Sequence, residues 1–214
     1  MIAGMMMKRI CFVGASTTEG MGDESGAGWP GRLSHPHRDR IIPYNLGVGG
    51  QLLSEIRARA AAECRARILE YDLGGIVLCS GMNDIARVDG QSRTPMRRLQ
   101  EAYVGLLQEL KEIAPLIAIG PFPTLTARMP YHSEMTGLDL DFRNDDIAKV
   151  DEVYKTLAAE NDVPYLAVFK GLRASDAYAA SLDQNDSLHP NGAGYQLVAE
   201  KIAAWEPWQQ LVSA

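Results

Sequence analysis

Five short apolar runs recur along the chain, and longer segments with a helical pattern separate them. The runs occupy residues 10–13, 41–46, 75–80, 116–120 and 163–168. They are apolar without strict alternation, which is typical of strands that are covered on both faces. The segments between them are long enough for the crossover helices that parallel strands require. The pattern therefore predicts parallel βαβ units in a three-layer α/β sandwich.

Several of the separating segments carry an apolar stripe at helical spacing. Such stripes run from Leu99 to Leu110, from Ile147 to Ala158 and from Tyr195 to Trp205, and they predict helices that cover the sheet. Segment 54–70 differs, because arginines alternate with alanines along it. We interpret its arginines as a solvated helix face rather than a binding patch; they are Arg57, Arg59, Arg65 and Arg67.

Composition narrows the possible partners and the compartment. The 214 residues carry a formal net charge of −6 and no basic block that could neutralise a phosphate backbone, so we expect no nucleic-acid partner. No apolar stretch reaches the length of a membrane span. The three cysteines, Cys11, Cys64 and Cys79, lack CxxC spacing. We interpret them as reduced core thiols of a cytosolic protein.

The chain has no internal repeat, no low-complexity tract and no linker, so we predict a single domain over residues 1–214. Residues 1–7 hold four of the methionines and are expected to be a frayed leader. Because Lys8 and Arg9 interrupt this leader, it does not resemble a secretory signal, and we expect a cytoplasmic location. The oligomeric state stays open. An apolar C-terminal group either forms a homo-oligomer contact or packs on its own domain; it comprises Trp205, Pro207, Trp208, Leu211 and Val212.

Segment 122–144 does not fit the alternation and is expected to be an irregular insertion. It contains Pro123, Pro130 and Gly137 and is long for a loop inside a compact domain. It leaves the carboxyl end of the fourth predicted strand, which is the edge where open α/β sheets bind ligands. Our hypothesis is a pocket wall or lid, with Met129 and Tyr131 as substrate-binding residues. A plain surface excursion is the alternative.

Ser16 stands where the first strand should end, so it is the candidate nucleophile, although an ordinary turn or a phosphate-binding loop would give the same pattern. A catalytic serine needs a base, an orienting carboxylate and donors for an oxyanion. Of the four histidines, His189 has an acid, Asp186, three residues before it in a polar loop. That acid can reach Nδ1 within one tight turn and leave Nε2 to face a hydroxyl. Alternatively, Asp186 only forms a turn and His189 only begins a helix.

The remaining histidines, His35, His37 and His132, lie in polar surface segments without a cluster of acids or cysteines, so we expect no metal site. Two other polar stretches follow predicted strands, at residues 45–50 and 80–84. A glycine-rich turn exposes backbone N–H groups, and the Asn83 carboxamide is a neutral donor. Ordinary strand-to-helix turn chemistry would also favour these residue types.

Four ordered blocks of the chain resemble the SGNH hydrolases, also called GDSL esterases and lipases. The family's Gly-Asp-Ser block with a following Thr-x-Gly is similar to residues 14–20. Its Asn-x-x-x-x-Gly block is similar to residues 45–50, its Gly-x-Asn-Asp block to residues 81–84, and its Asp-x-x-His-Pro block to residues 186–190. One block alone would be weak evidence, but four in the same order make the resemblance strong over nearly the whole chain.

The resemblance implies a role for each block. Ser16 would be the nucleophile, His189 the general base and then acid, and Asp186 the orienting carboxylate. The oxyanion hole would be formed by Ser16 N–H, Gly50 N–H and the Asn83 side chain, with Gly49 as the alternative glycine. The fold would be flavodoxin-like with five parallel strands, without a metal or organic cofactor. Ala15 departs from the family, which usually has aspartate there, and the loss of that carboxylate puts the local turn geometry in question.

These observations predict a cytoplasmic serine hydrolase that cleaves a small-molecule ester or thioester of a small or medium acyl group through an acyl-serine intermediate. Two other classes remain open. One is a flavodoxin-like protein that binds a nucleotide or flavin, although residues 14–19 lack the lysine of a phosphate-binding loop. The other is a catalytically silent interaction domain.

Overall fold

The computed structural model describes residues 7–70 and 73–213. All of the expected leader except Met7 lies outside these residues. The strands are β1 (Lys8–Gly14), β2 (Ile41–Gly47), β3 (Gly74–Cys79), β4 (Arg87–Val88), β5 (Gln91–Ser92), β6 (Leu116–Ile119), β7 (Tyr131–Ser133), β8 (Leu138–Leu140) and β9 (Tyr165–Leu166).

Helices separate most of these strands. They are α1 (Ser16–Glu19), α2 (Gly28–Ser34), α3 (Leu53–Arg65), α4 (Met82–Ile85), α5 (Met96–Lys111), α6 (Asn144–Glu160), α7 (Phe169–Arg173), α8 (Asp176–Asp183), α9 (Gly192–Ala203) and α10 (Glu206–Val212). Single 3₁₀ turns span His35–His37 and Thr126–Arg128. The helices that were predicted from apolar stripes correspond to α5, α6 and α9.

The main sheet has five strands in the order β2-β1-β3-β6-β9, and every neighbouring pair is parallel. This topology confirms the predicted α/β sandwich. Side chains of β1 alternate between its two faces, as the pleat of a strand requires. Cys11 and Val13 pack in one core cluster with α3, α5 and α6, whereas Ile10 and Phe12 pack in another with α2, α9 and α10. The two clusters are the interfaces of a three-layer structure.

The strand register brings the carboxyl ends of the central strands level. Gly14, the last residue of β1, is paired with Gly47 of β2 and with Cys79 of β3. The segments that follow these strands therefore leave the sheet at the same height. Because parallel strands all point the same way, the predicted functional loops meet at this one edge.

Two expectations about strands and loops need correction. The run at 163–168 forms a strand only over Tyr165–Leu166, the two residues that pair with Ala118 and Ile119 of β6. Segment 122–144 is not irregular throughout. Within it, β7 and β8 form an antiparallel hairpin in which Tyr131 is opposite Leu140 and Ser133 is opposite Leu138.

The interpretation of the arginines on α3 as a solvated face is wrong for Arg59. Its side chain is only 17% exposed, because its guanidinium turns inward toward the ends of β1 and β2. Arg57 does lie at the surface and pairs with Glu109 at 2.7 Å. Because the two residues are two positions apart on an α-helix, their side chains project to nearly opposite sides and meet different neighbours.

The C-terminal apolar group packs largely on the protein's own core. Trp208, Leu211 and Val212 of α10 are buried in the second core cluster, beside Phe12. Trp205 is half-buried against the same cluster. Among the described residues, no helix combines the length and the apolar character needed to cross a bilayer.

Candidate active site

Ser16 begins α1, a single helical turn that starts immediately after β1. The turn is packed very closely against the neighbouring strands. A Cβ atom on Gly14 would lie 2.1 Å from Thr18 Oγ1, and one on Gly47 would lie 2.1 Å from the backbone nitrogen of Glu19. Only glycine fits at either position. This tight packing holds the Ser16 side chain at the edge of the sheet. Ser16 as a whole residue is 9% exposed.

His189 contacts Ser16 directly. Its Nε2 lies 2.9 Å from Ser16 Oγ, and the imidazole is buried, with the residue 2% exposed. His189 stands in the loop between α8 and α9, where the Asn185 carboxamide donates a hydrogen bond to its carbonyl oxygen at 2.8 Å. Gly22 and Pro190 adjoin the same loop. These contacts fix the ring against the Ser16 turn.

Asp186 contacts the other side of the His189 ring. Its Oδ2 lies 2.6 Å from His189 Nδ1, and its Oδ1 accepts the backbone N–H groups of Leu188 at 2.9 Å and His189 at 2.6 Å. Ser187, between them, has a φ of 72°, which closes the tight turn expected from the three-residue spacing. An ionised carboxylate can only accept, so in neutral His189 the proton is on Nδ1 and Nε2 accepts from the Ser16 hydroxyl.

The electrostatics of this turn keep Asp186 charged. Burial raises the pKa of the Asp186 carboxyl, but the hydrogen bond and charge of the His189 ring, together with the two backbone N–H groups, outweigh burial and lower the pKa below its ordinary value. Hydrogen bonds to the charged form of an acid have this effect generally. The side chain is 32% exposed, so water also solvates the carboxylate.

The glycine turn after β2 offers two adjacent backbone donors, and the structure distinguishes them. Gly49 N–H donates to the Glu19 carboxylate at 2.7 Å. Gly50 has a φ of 74°, and its N–H has no acceptor among the described residues. Ser16 N–H, at the first position of α1, likewise has none there. Of the backbone donors that the sequence analysis named, those of Ser16 and Gly50 thus have no acceptor among the described residues.

Asn83 is buried in α4, directly after the turn that follows β3. Its Nδ2 donates to the backbone carbonyl of Gln51 at 2.9 Å, which ties it to the turn that carries Gly50. A carboxamide nitrogen has two hydrogens, so a second N–H stays available. Gly81, with a φ of 99°, is packed so tightly that a Cβ there would lie 1.9 Å from Tyr154 Oη. This packing sets the position from which Asn83 projects.

A small cavity adjoins Ser16. Its walls are formed by Cys79, Ser80, Met82, Pro121, Phe142 and Leu188, and Ser16, Asn83 and His189 also line it. It offers about 20 Å³ to the centres of water molecules, which is room for little more than one water. The sequence analysis did not single out Ser80 or Phe142 as site residues. A single serine and a single phenylalanine in loops form no sequence pattern that would identify them as site residues.

Two side chains, half-buried Arg59 and buried Asp84, support the glycine and asparagine turns. Arg59 donates from Nη2 to the carbonyl oxygens of Leu46 at 2.9 Å and Gly14 at 3.2 Å, and from Nε to Gln51 Oε1 at 2.7 Å. It therefore joins the residue before the Ser16 turn to the segment that carries Gly50. Its position on an Arg- and Ala-rich helix gave no sign of this role in the sequence.

Asp84 is the second supporting side chain, and only 1% of the residue is exposed. Its Oδ2 accepts the N–H of Leu53 at the start of α3, and its Oδ1 accepts the Thr94 hydroxyl, each at 2.8 Å. A carboxylate at this end of a helix meets the positive end of the macrodipole. Burial raises the Asp84 pKa, against the opposing effect of the Thr94 and Leu53 hydrogen bonds.

Part of segment 122–144 lies beside the site. The Tyr131 ring meets the His189 ring edge-on, with centroids 5.8 Å apart. Met135, at the hairpin turn, is 65% exposed, and its Cε would lie 3.5 Å from a Cβ on Gly49. Met129 packs instead in a small cluster with Phe142 and Leu188, two residues that also line the cavity. The hairpin thus borders both the histidine and the glycine turn.

The other histidines stay away from this site. His132 is paired with Asp139 at 2.8 Å and its side chain is 64% exposed. His35 and His37 belong to the 3₁₀ turn after α2. The His37 ring packs against the Trp208 ring, with the ring centroids 5.9 Å apart. No cluster of His, Cys, Asp or Glu suited to a metal ion occurs among residues 7–70 and 73–213.

Ala15 precedes Ser16 at the N-cap of α1 and offers no side-chain acceptor to the helix. The turn forms nevertheless, because the Ala15 carbonyl accepts the N–H groups of Thr18 at 3.0 Å and Glu19 at 2.9 Å. The Thr18 hydroxyl adds a buried hydrogen bond to the Cys79 carbonyl at 3.2 Å. The backbone geometry of the turn is thus maintained without the carboxylate.

The parallel sheet and the hydrogen-bonded serine, histidine and aspartate at its carboxyl edge place the protein among α/β hydrolytic enzymes. Comparison with known sequences makes the assignment specific, because the GDSL-like lipase/acylhydrolase family matches residues 12–197. The chain belongs to this family, and the membership supports hydrolysis of the esterase or lipase type.

Individual relatives are distant but cover nearly the whole chain. The uncharacterized protein YpmR of Bacillus subtilis (strain 168) is 22% identical over 210 residues, which cover 90% of this chain and 79% of YpmR. The lipase/acylhydrolase from Enterococcus faecalis has a similar structure, with a TM-score of 0.72, 19% identity and coverage of 92% of this chain and 94% of that one. The acetyl xylan esterase AlAXEase aligns with a TM-score of 0.64, 18% identity and coverage of 91% and 97%. These structural similarities establish a shared fold.

Proposed function

We propose that the protein is a serine hydrolase that cleaves a carboxylic ester or thioester of a small or medium acyl group through an acyl-Ser16 intermediate. The observation that carries this proposal is the continuous hydrogen-bonded chain from Ser16 Oγ through the His189 ring to Asp186, at 2.9 Å and 2.6 Å. Membership of the acylhydrolase family supports the same reaction class.

In the first half-reaction, Ser16 Oγ attacks the carbonyl carbon of the ester while its proton passes to His189 Nε2. The imidazolium that forms is stabilised by Asp186, whose low pKa keeps it ionised at neutral pH. The tetrahedral intermediate then collapses, and Nε2 returns the proton to the departing alcohol or thiol. The acyl group stays on Ser16 as an ester.

The second half-reaction uses the same groups with water as the nucleophile. His189 Nε2 takes a proton from the water, whose oxygen attacks the acyl carbon and forms a second tetrahedral intermediate. Collapse of this intermediate releases the carboxylic acid, and the proton on Nε2 returns to Ser16 Oγ. No metal or organic cofactor takes part in these steps.

The oxyanion in both steps would be held by Ser16 N–H, Gly50 N–H and the free N–H of Asn83. The proposal prefers Gly50 to Gly49, because the Gly49 N–H already donates to Glu19. Neutral donors that are fixed before the reaction stabilise the developing charge without reorganisation. Asn83 and the Gly50 turn are joined through Gln51, so these donors would move as a unit.

The partner that this proposal requires is a small-molecule ester or thioester. We place the protein in the cytoplasm, because its cysteines, Cys11, Cys64 and Cys79, are free and buried. Cys11 and Cys64 both lie in the first core cluster, and unpaired buried thiols suit a reducing compartment. The acyl length and the leaving group depend on the surroundings of Ser16 rather than on the triad.

Labelling with a fluorophosphonate probe tests the proposal, because the probe reacts far faster with an activated serine than with ordinary hydroxyls. We expect stoichiometric labelling that peptide mapping assigns to Ser16. A Ser16→Ala variant should lose both the labelling and the hydrolysis of p-nitrophenyl acetate while keeping the wild-type melting temperature. Ser92→Ala, at an exposed serine of β5, is the matched control and should retain both. Turnover by Ser16→Ala equal to that of the wild type would refute the mechanism.

A further inference from the structure

We infer that the cavity beside Ser16 is an acyl pocket that accepts an acetyl or propionyl group and excludes longer alkyl chains. This inference rests on the proposed acyl-Ser16 mechanism and adds the substrate class to it. Three observations about the cavity carry the inference, namely its position, its size and a buried hydroxyl on its wall.

The position of the cavity assigns it to the acyl part of the substrate. The alcohol must leave after the first half-reaction and be replaced by water, so it needs an open path. The acyl group, in contrast, stays bonded to Ser16 until the end. A small space next to Ser16 and Asn83, walled by packed side chains, suits the part that stays. The leaving group then faces the exposed side of the site, toward Tyr131 and the hairpin.

The size of the cavity limits the acyl group. About 20 Å³ for water centres is close to the minimum that holds one water, and a methyl group is of similar size. The closing walls cannot easily withdraw, because Phe142 is 1% exposed and packs against Leu188 and Leu140. Pro121, two residues after the end of β6, forms the adjacent wall. A longer chain would have to displace this packed cluster.

The Ser80 hydroxyl provides an independent argument from polarity. Ser80 lines the cavity, and its Oγ is buried without a hydrogen-bond partner among the described residues. A long alkyl chain would cover this hydroxyl permanently with methylene groups, which is unfavourable for an unpaired polar group. A short acyl group places fewer methylene groups against it. Size and polarity therefore select the same substrates.

A chain-length series on the intact enzyme is the primary test. We would measure kcat/KM for the p-nitrophenyl esters of acetate, propionate, butyrate and hexanoate, with enzyme concentration fixed by fluorophosphonate titration. The value should fall by at least roughly tenfold between propionate and hexanoate, since an ill-fitting methylene alone can have such an effect in a packed pocket. A kcat/KM that rises toward butyrate or hexanoate would overturn the inference and leave the proposed function intact. Absence of both labelling and turnover would instead refute the proposed function.

Variants of the wall test the assignment directly. Phe142→Ala should raise the ratio of butyrate to acetate kcat/KM by about tenfold. Phe142 is part of a core cluster, so its replacement could prevent folding. Met82→Ala, at a half-buried wall residue, is a second variant that enlarges the cavity. It should raise the same ratio. Ser80→Ala should raise it as well, by removing the hydroxyl.

The matched control is Phe169→Ala, because Phe169 is an equally buried phenylalanine in the first core cluster and does not line the cavity. It should lower the melting temperature but leave the butyrate-to-acetate ratio at the wild-type value. If Phe142→Ala or, where that variant does not fold, Met82→Ala leaves the ratio unchanged, the cavity is not the acyl pocket.

Discussion

His189 Nε2 lies 2.9 Å from Ser16 Oγ, although the two residues are 173 positions apart in the chain. The contact exists because β1 ends beside the loop between α8 and α9 at the carboxyl edge of the sheet. It joins segments near the two ends of the chain and aligns a buried base with a buried hydroxyl. The predictions below follow from this contact and from the groups that support it.

Asp186→Asn should lower kcat by roughly 10²- to 10⁴-fold, because the amide can donate to His189 Nδ1 and so favours the wrong tautomer. Steady-state hydrolysis of p-nitrophenyl acetate is the measurement. Asp183→Asn is the matched control, since this nearby carboxylate is 54% exposed and pairs only with Arg128. Loss of activity in both variants would point to a general electrostatic effect instead.

Asn83→Ala should lower kcat by about 10²- to 10³-fold with little change in KM, because its N–H would act mainly on the developing oxyanion. The kinetics should be accompanied by a thermal melt, because Asn83 also holds the Gln51 carbonyl. Asn161→Ala, at the end of α6 and remote from Ser16, should keep the wild-type kcat. A main effect on KM would contradict the oxyanion assignment.

Arg59→Met should lower kcat by more than it raises KM, because the variant frees the carbonyls of Gly14 and Leu46 and lets the Gly50 turn shift. Arg57→Met, on the same helix, removes only the surface pair with Glu109 and should leave kcat near the wild-type value. Arg59→Lys can keep one of the carbonyl contacts and should recover part of the activity. Equal kinetics for Arg59→Met and Arg57→Met would show that the buried contacts do not position the site.

The contribution of Asp186 to stability should depend on pH in a defined direction. Its pKa is lower in the folded protein than in the unfolded chain, so its stabilising effect is fully present above the ordinary carboxyl range near pH 4. The effect is lost as pH falls through the folded-state pKa. The melting-temperature difference between the wild type and Asp186→Asn, measured from pH 7 to pH 3, should therefore shrink as the pH approaches the acidic end. A difference that grows on acidification would contradict the assigned direction.

Tyr131→Ala should change selectivity for the leaving group, because the ring covers the exposed side of the site beside His189. We expect a larger increase of KM for aryl acetates than for ethyl acetate. His132→Ala is the control, since this neighbouring side chain of the same hairpin points to solvent. Deletion of residues 131–140 should produce a larger change of the same kind. Unchanged acyl-chain and leaving-group preferences after deletion would remove the hypothesis that the hairpin is a pocket wall or lid.

Local sequence patterns were sufficient for the architecture. The apolar runs predicted β2, β3 and β6 to within one residue at each end, and β1 to within two. The central strands β1 and β3 are largely buried, and strands covered on both faces are apolar along their length. The length predicted for β9 was wrong, because only Tyr165 and Leu166 of that run pair with β6. The stripes of α5, α6 and α9 were equally visible, since a helix that packs on a sheet repeats its apolar contacts every turn.

The sequence by itself determined the α/β sandwich and the order of the polar loops that follow its strands, because both depend on neighbours along the chain. Tertiary structure alone decided that Glu19 occupies the Gly49 N–H, that Arg59 turns inward, and that Phe142 closes the cavity beside Ser16. Each of these outcomes depends on residues that lie far apart in sequence. The spacing of residues along the sequence does not predict such contacts, since they arise only when the sheet and its covering helices are packed together.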